Sequence, residues 1–215
     1  MTRGIFITFE GPEGCGKTTQ ITMLEGYLKE HGFQYHISRE PGGTRISNQI
    51  RQILLNPENK EMFSKTELLL YAADRAQHTE ETIKPLLKKG FVVISDRYFD
   101  STTAYQGYGR GLDLEFVNNL NNIATGGLKP DLTVLITLSP EIGLKRAYKI
   151  SEADGFPNHG DRLEQENIKF HKKVLQGYLS IAEQEEERFL IINGEKTPDE
   201  IHALIINEFK LKFKK

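Results

Sequence analysis

Residues 11–18 read Gly-Pro-Glu-Gly-Cys-Gly-Lys-Thr, directly after the apolar run Ile5-Phe6-Ile7-Thr8-Phe9. The spacing fits G-x-x-x-x-G-K-[ST], a phosphate-binding loop, and few short patterns restrict a fold as strongly. Gly11, Gly14 and Gly16 let the backbone take positive φ and approach a ligand closely. Successive N–H groups then line an anion site, to which the next helix adds its N-terminal positive charge. Lys17 supplies an ammonium to the β- and γ-phosphates, and Thr18 a hydroxyl for Mg²⁺. With Pro12, Glu13, Cys15 and Thr19 these residues make up the expected ATP site. The run before the loop reads as a buried strand, and Ile21, Leu24 and Leu28 recur behind it at helical spacing. Strand, loop, helix is the order the motif needs.

The rest of the chain repeats that alternation. Strand candidates are Phe33–Ser38, the bare apolar run Phe91–Ile94, and Leu132–Leu138 and Phe189–Ile192, the last two apolar almost throughout as parallel strands covered on both faces should be. Between them lie helical segments: Ile46–Leu55, and a long one from Ser64 to about Lys88, ended by Gly90. Ser64 is the expected cap, with Glu67 completing a capping box, and Pro85 should kink or weaken the last turn. A final stripe is formed by Ile201, Leu204, Ile205 and Phe209. The expected fold is α/β: a doubly wound, about five-stranded parallel sheet flanked by helices, of P-loop NTPase type. A length of 215 residues suits one domain.

Composition narrows the function classes. A net charge of −2 argues against a general nucleic-acid or membrane binder, and the basic tail Lys210–Lys215 alternates with apolar residues as a solvated helix end would. One cysteine rules out an internal disulfide framework. Met1-Thr-Arg runs straight into a short strand, and no apolar run reaches membrane-spanning length, so a cytoplasmic protein is expected.

Ligands of such sheets bind at the carboxyl ends of the strands. Here three of those ends are charged: Glu10, Arg39-Glu40 and Asp96-Arg97. If the strands are neighbours, two arginines and several carboxylates converge beside the phosphate loop. Guanidinium groups clamp phosphate oxygens, and a carboxylate there can hold Mg²⁺, so a second anionic substrate or a transferring phosphoryl group is implied. One stretch breaks the alternation: 150–161 is rich in Gly, Pro, Asp and Asn, with Lys145, Arg146 and Lys149 before it and Arg162 after. Such a segment, about 145–162, can close as a lid over phosphates, or it is a plain surface turn.

Taken together, the motifs F-E-G-P-E-G-C-G-K-T-T (9–19), R-E-P-G-G-T (39–44), Y-A-A-D-R (71–75), D-R-Y-F-D-S-T-T-A-Y-Q-G (96–107), L-K-P-D-L-T (128–133) and D-R-L-E (161–164) resemble those of the thymidylate kinases, the bacterial type above all. The resemblance spans nearly the whole chain. It implies transfer of a phosphoryl group from ATP to dTMP, with Mg²⁺, in a homodimer. Lys17 and the loop amides would hold the ATP phosphates, and Thr18, Asp96 and Glu40 the metal and its waters. Arg39 and Arg97 would grip the acceptor's 5′-phosphate, with Arg51 in reach. Glu13 would face the sugar 3′-hydroxyl and Tyr105 its C2′. Tyr71 would stack on thymine, where relatives often have Phe, and Arg75 would bond the base edge beside Thr102 and Gln106. With Gly14 where some relatives place an arginine, the extra cation is expected from the lid, from Arg146 or Lys149, while Arg162 anchors its far end.

Two other readings stay open on the residues alone: a kinase of another monophosphate, and a nucleotide-dependent switch with no small acceptor. A panel of acceptors separates them. Cys15 also admits two readings. The helix N-terminus and Lys17 favour a reactive thiolate that ATP would shield, whereas burial would make it a small packing residue.

Overall fold

In the computed structural model of the protein, residues 3–153 and 161–213 are described, 149–153 by their backbone alone. Five parallel strands, β1 (Ile5–Glu10), β2 (Tyr35–Arg39), β3 (Val92–Asp96), β4 (Leu132–Thr137) and β5 (Phe189–Asn193), form one sheet in the order β2-β3-β1-β4-β5. Every expected strand is present to within two residues. The register sets Asp96 beside Arg39 on one side and beside Phe9 on the other. The three charged strand ends are therefore adjacent. The order turns back on itself at β1, so the phosphate loop that follows it sits at the switch point of the sheet.

Side chains alternate across each strand, and each face has its own core. Ile7 and Phe9 point to the face covered by α1 (Lys17–Glu30) and α9 (Pro198–Lys212), whose Leu24, Leu28, Ile205 and Phe209 are buried with them. Phe6, Thr8 and Glu10 point the other way. That face carries α2 (Arg45–Leu55), α3 (Ser64–His78), α4 (Lys84–Lys88), α5 (Phe99–Thr102), α6 (Leu114–Thr125) and α8 (Ile168–Gln184), while α7 (Pro140–Ala153) follows β4. Local chemistry fixes the ends: Thr44 caps α2 by accepting from the Ser47 N–H at 3.1 Å, and Thr197 and Glu200 close a capping box at α9.

The expected cap at Ser64 is not formed. Ser64 is already the first helical residue, Phe63 holds the cap position without a side-chain bond, and Glu67 is buried in ion pairs described below. A carboxylate with arginine partners is better satisfied there than on a backbone N–H. The long helix does run to Lys88, but through a wide π turn at Thr79–Ile83. That turn lies just before Pro85, which has no N–H to give and whose ring would press on a regular preceding turn.

Candidate active site

Gly14 and Gly16 hold positive φ in the phosphate loop (64° and 101°), and Gly16 starts α1 with that helix's N–H groups turned to the loop. The Lys17 ammonium lies against the carbonyls of Gly11 and Pro12 at 3.1 and 3.0 Å. Helix α7 reaches the loop backbone directly. A Cβ on Gly14 would stand 2.2 Å from the carbonyl oxygen of Gly143, and a Cβ on Gly143 would stand 2.3 Å from that of Glu13. Only two glycines allow this approach, which brings Arg146, one turn on, to the edge of the cleft, where it donates to the Gly194 carbonyl at 3.3 Å. Cys15 is 1% exposed within the α1/α9 core, and burial pushes its thiol up despite Lys17. Of its two readings, packing is the one this environment supports.

Arg97 follows β3 and is the only non-glycine residue with clearly positive φ (72°) among the described residues. Such a backbone costs on the order of 1–2 kcal/mol and persists only when its surroundings hold it. Its N–H donates to Phe9, its carbonyl accepts from Ser95, and its guanidinium is engaged at both ends. Nη2 donates to Glu13 at 2.6 Å and to the Tyr105 hydroxyl at 3.2 Å. Nη1 donates to the Gly11 carbonyl, Ser101 and Tyr178. Burial alone would raise the Glu13 carboxyl, but the charges of Arg97 and Lys17 outweigh it and hold it below the usual carboxylate range.

A second arginine of the cleft is fully buried. Arg75 Nε donates to Glu40 at 2.8 Å, Nη1 to Thr102 and Asn121, and Nη2 to the Tyr98 carbonyl. The other oxygen of Glu40 takes His78 at 2.9 Å, whose far nitrogen meets Ser38. The Glu40–Pro41 peptide is cis, and Asp74 holds the following turn by accepting the Gly42 N–H. Burial and neighbouring Glu40 push the Asp74 carboxyl up to about 8. Arg51 donates to the Pro41 carbonyl at 2.7 Å, and burial and neighbouring Arg39 lower its pKa.

At the other end of the cleft, Glu67 gathers Gln106 (2.8 Å), Arg110 (3.0 Å) and Arg162 (2.6 Å) around one buried carboxylate. Arg162 also bonds the Leu54 carbonyl, which ties the start of the chain after residue 160 to α2. Tyr71 lies over the same region, and burial raises its hydroxyl pKa above the ordinary range. These walls enclose a cleft of about 810 Å³ that contains Lys17, Thr18, Arg39, Asp96 and Tyr71 alike.

The family model of the thymidylate kinases matches residues 9–205. The chain belongs to the thymidylate kinase family. Thymidylate kinases of Geotalea daltonii and Geotalea uraniireducens are 52% and 53% identical to it, each over 94% of both chains. The crystal structure of thymidylate kinase from Ehrlichia chaffeensis superposes with a TM-score of 0.76 at 31% identity, covering 97% of this chain and 99% of that one.

Against that family pattern the cleft gathers almost every residue singled out from sequence. Glu13, Lys17, Thr18, Arg39, Glu40, Arg51, Tyr71, Arg75, Asp96, Arg97, Thr102, Tyr105, Gln106 and Arg146 all line it. The side chain of Lys149 and residues 154–160 of the expected lid lie outside the described residues. Around the cleft the structure also places Glu67, Asp74, His78, Ser101 and Tyr178, to which sequence reading gave no part in the site, bonded to residues that line it or, for Asp74, to the turn after Pro41. For those on α3 a signal exists, because Glu67, Tyr71, Asp74, Arg75 and His78 share one helix face that should be apolar if it merely packed.

Proposed function

We infer that the cleft holds two nucleotides end to end, ATP on the phosphate loop and dTMP among α2, α3 and the π turn Thr103–Gly109, and passes the γ-phosphoryl between them. The reaction is ATP + dTMP ⇌ ADP + dTDP. The observation that carries it is the single cleft, phosphate loop and base-sized pocket together, with Arg39 and Arg97 shared between them.

Each role follows from chemistry. Lys17 exchanges its two carbonyl partners for phosphate oxygens, and Arg39 and Arg97 face the acceptor phosphate, with Arg51 beside them. Tyr71 offers a ring face to the base. Gln106, with its amide nitrogen given to Glu67, keeps its oxygen for the N3–H of thymine. Arg75 has one N–H left after four bonds and borders the base as a fixed wall. Glu13 and Tyr105, bonded to each other at 2.8 Å, shape the sugar site. Arg146, with Lys149, brings positive charge from the lid as it closes and excludes water.

The site suits Mg²⁺. Asp96 Oδ1 is buried without a hydrogen-bond partner, on the cleft that Thr18 also lines, so Thr18 and Asp96 would hold the ion. When bound, it neutralises charge on the β- and γ-phosphates. Glu40, with both oxygens bonded to Arg75 and His78, serves better as the anchor of Arg75 than as an organiser of metal waters.

A homodimer suits the surface: Ile53 of α2, Phe63 and Leu69 at α3, and Phe116 and Ile123 of α6 expose large apolar side chains on neighbouring helices, Ile123 at 76%. No helix of the described residues is long and apolar enough to cross a membrane. A buried free thiol as the chain's only cysteine suits the reducing cytoplasm. The test is phosphorylation of dTMP, dUMP, dCMP, AMP and GMP by ATP with Mg²⁺. dTMP should be preferred by at least about ten-fold in kcat/KM; hydrolysis independent of any acceptor would sink the assignment.

A further inference from the structure

Behind Arg97 lies a group of polar side chains with no direct part in holding a nucleotide. Tyr178, on α8, is fully buried, and its hydroxyl accepts a hydrogen bond from Arg97 Nη1 at 3.0 Å. The same nitrogen donates to Ser101 Oγ at 3.2 Å. Each hydroxyl has one proton to give: Glu10 Oε2 lies 2.9 Å from Tyr178 and 2.6 Å from Ser101, and the two hydroxyls also meet each other at 2.8 Å. The other oxygen of Glu10 takes the Tyr98 N–H at 2.7 Å. Glu10 is completely buried at the end of β1, on the face away from α1.

The direction of these bonds matters. When ionised, Glu10 only accepts, so it then draws the O–H groups backward and leaves their lone pairs facing the guanidinium; because burial pushes its carboxyl up to about 7, this arrangement is complete only as pH rises above that. We propose that Tyr178 is a positioning residue for Arg97: with Ser101, and oriented by Glu10, its hydroxyl fixes the guanidinium that meets the acceptor phosphate. Glu13 and Tyr105 hold Nη2 from the opposite side. A side chain pinned at both nitrogens has no rotamer freedom left to lose when phosphate binds, and its charge is in place before the reaction begins. The strained backbone of Arg97 fits the same purpose, since the surrounding bonds stabilise a conformation that it would not keep alone.

This inference rests on Arg97 being the acceptor-phosphate residue, and the experiment separates the two. Full-length Tyr178→Phe keeps the ring, which packs edge-on to Tyr105 at 6.2 Å, and loses only the hydroxyl. Steady-state kinetics in both substrates, with melting curves, should be taken for Tyr178→Phe, Ser101→Ala, Arg97→Ala and the double variant Arg97→Ala/Tyr178→Phe. We expect Tyr178→Phe to lower kcat/KM for dTMP by about ten- to a hundred-fold, as loss of a bond to a charged group does. KM for ATP should stay within about two-fold, and in the Arg97→Ala background the tyrosine change should cost less than about two-fold more. Ser101→Ala should act in the same sense. Glu10→Gln, whose amide donates where the carboxylate accepts, should turn a hydroxyl proton toward Arg97 and match the loss. A Tyr178→Phe enzyme with unchanged dTMP kinetics, or one equally impaired with and without Arg97, overturns the positioning role. If Arg97→Ala itself leaves dTMP kinetics intact, the reading of Arg97 fails first.

Discussion

Lys17 rests on two carbonyls of its own loop, so a phosphate chain binds by taking over an ammonium already held in place. Lys17→Ala should lower turnover by about three powers of ten, with a melting temperature close to that of the parent, because the side chain faces ligand rather than core. Near-normal turnover in a folded variant would refute the site. Cys15 should resist mild alkylation in the nucleotide-free folded protein; a modified Cys15 peptide in the mass spectrum would reverse that reading. Arg75 shows how a buried environment changes an experiment. Bonded to Glu40, Thr102, Asn121 and Tyr98, it cannot be cut to Ala as a clean probe of base choice: the stranded Glu40 carboxylate should cost about 3–5 kcal/mol of stability, seen in urea melts. Glu10 should be felt in the pH dependence of stability. Burial and the charge of Asp100 push its carboxyl from the usual 4.5 up to about 7, against the opposing charge of Arg97 and the bonds from Ser101 and Tyr178. As pH rises the unfolded chain gives up this proton first, so the group's contribution is complete below 4.5 and is lost as pH climbs through about 7. Glu10→Gln removes that loss, and its melting temperature relative to the parent should improve between about pH 5 and about pH 8. A difference that stays constant over that range contradicts the raised pKa.

Helix α3 decides how the base pocket is walled. Its polar stripe was visible as spacing, but the partners were not: Glu40, Arg110 and Arg162 lie 35, 43 and 95 residues from Arg75, Glu67 and Glu67 respectively, and nothing local chooses among so many charged residues. The misplaced cap has the same origin. Ser64 and Glu67 fit a capping box locally, and the tertiary pairing of Glu67 overrode it. The central strands β1, β3 and β4 were legible because burial on both faces leaves mostly apolar choices along them, whereas the edge strands β2 and β5 are largely part-exposed. Arg162 was expected to anchor the far end of a lid, and it is bonded to the Leu54 carbonyl and Glu67. Removing Glu67 should therefore do more than loosen a helix. Glu67→Ala strands the buried Arg162 and leaves half-buried Arg110 with Glu166 alone, and should cost about 3 kcal/mol or more by thermal or chemical melts. Loss of less than about 1 kcal/mol would mean that the pairs are solvent-screened and matter little.

At the scale of the molecule, the adjacency of β1, β2 and β3 turns three unremarkable charged strand ends into one site, and that step needed the strand order, which no segment of sequence contains. The exposed apolar side chains of α2, α3 and α6 belong to the same scale. Ile123→Glu together with Leu69→Glu should convert a dimer to monomer in light scattering without lowering the melt of the isolated fold; a wild-type chain that is already monomeric would dispose of that interface. The backbone contact between Gly14 and Gly143 reaches further still. Loop and helix meet backbone to backbone, so any side chain at position 14 and helix α7 in its present place exclude each other. An arginine at position 14 would displace the helix that carries Arg146, so with this backbone the loop and α7 cannot both offer a long cation to the cleft, and adding one by substitution removes the other.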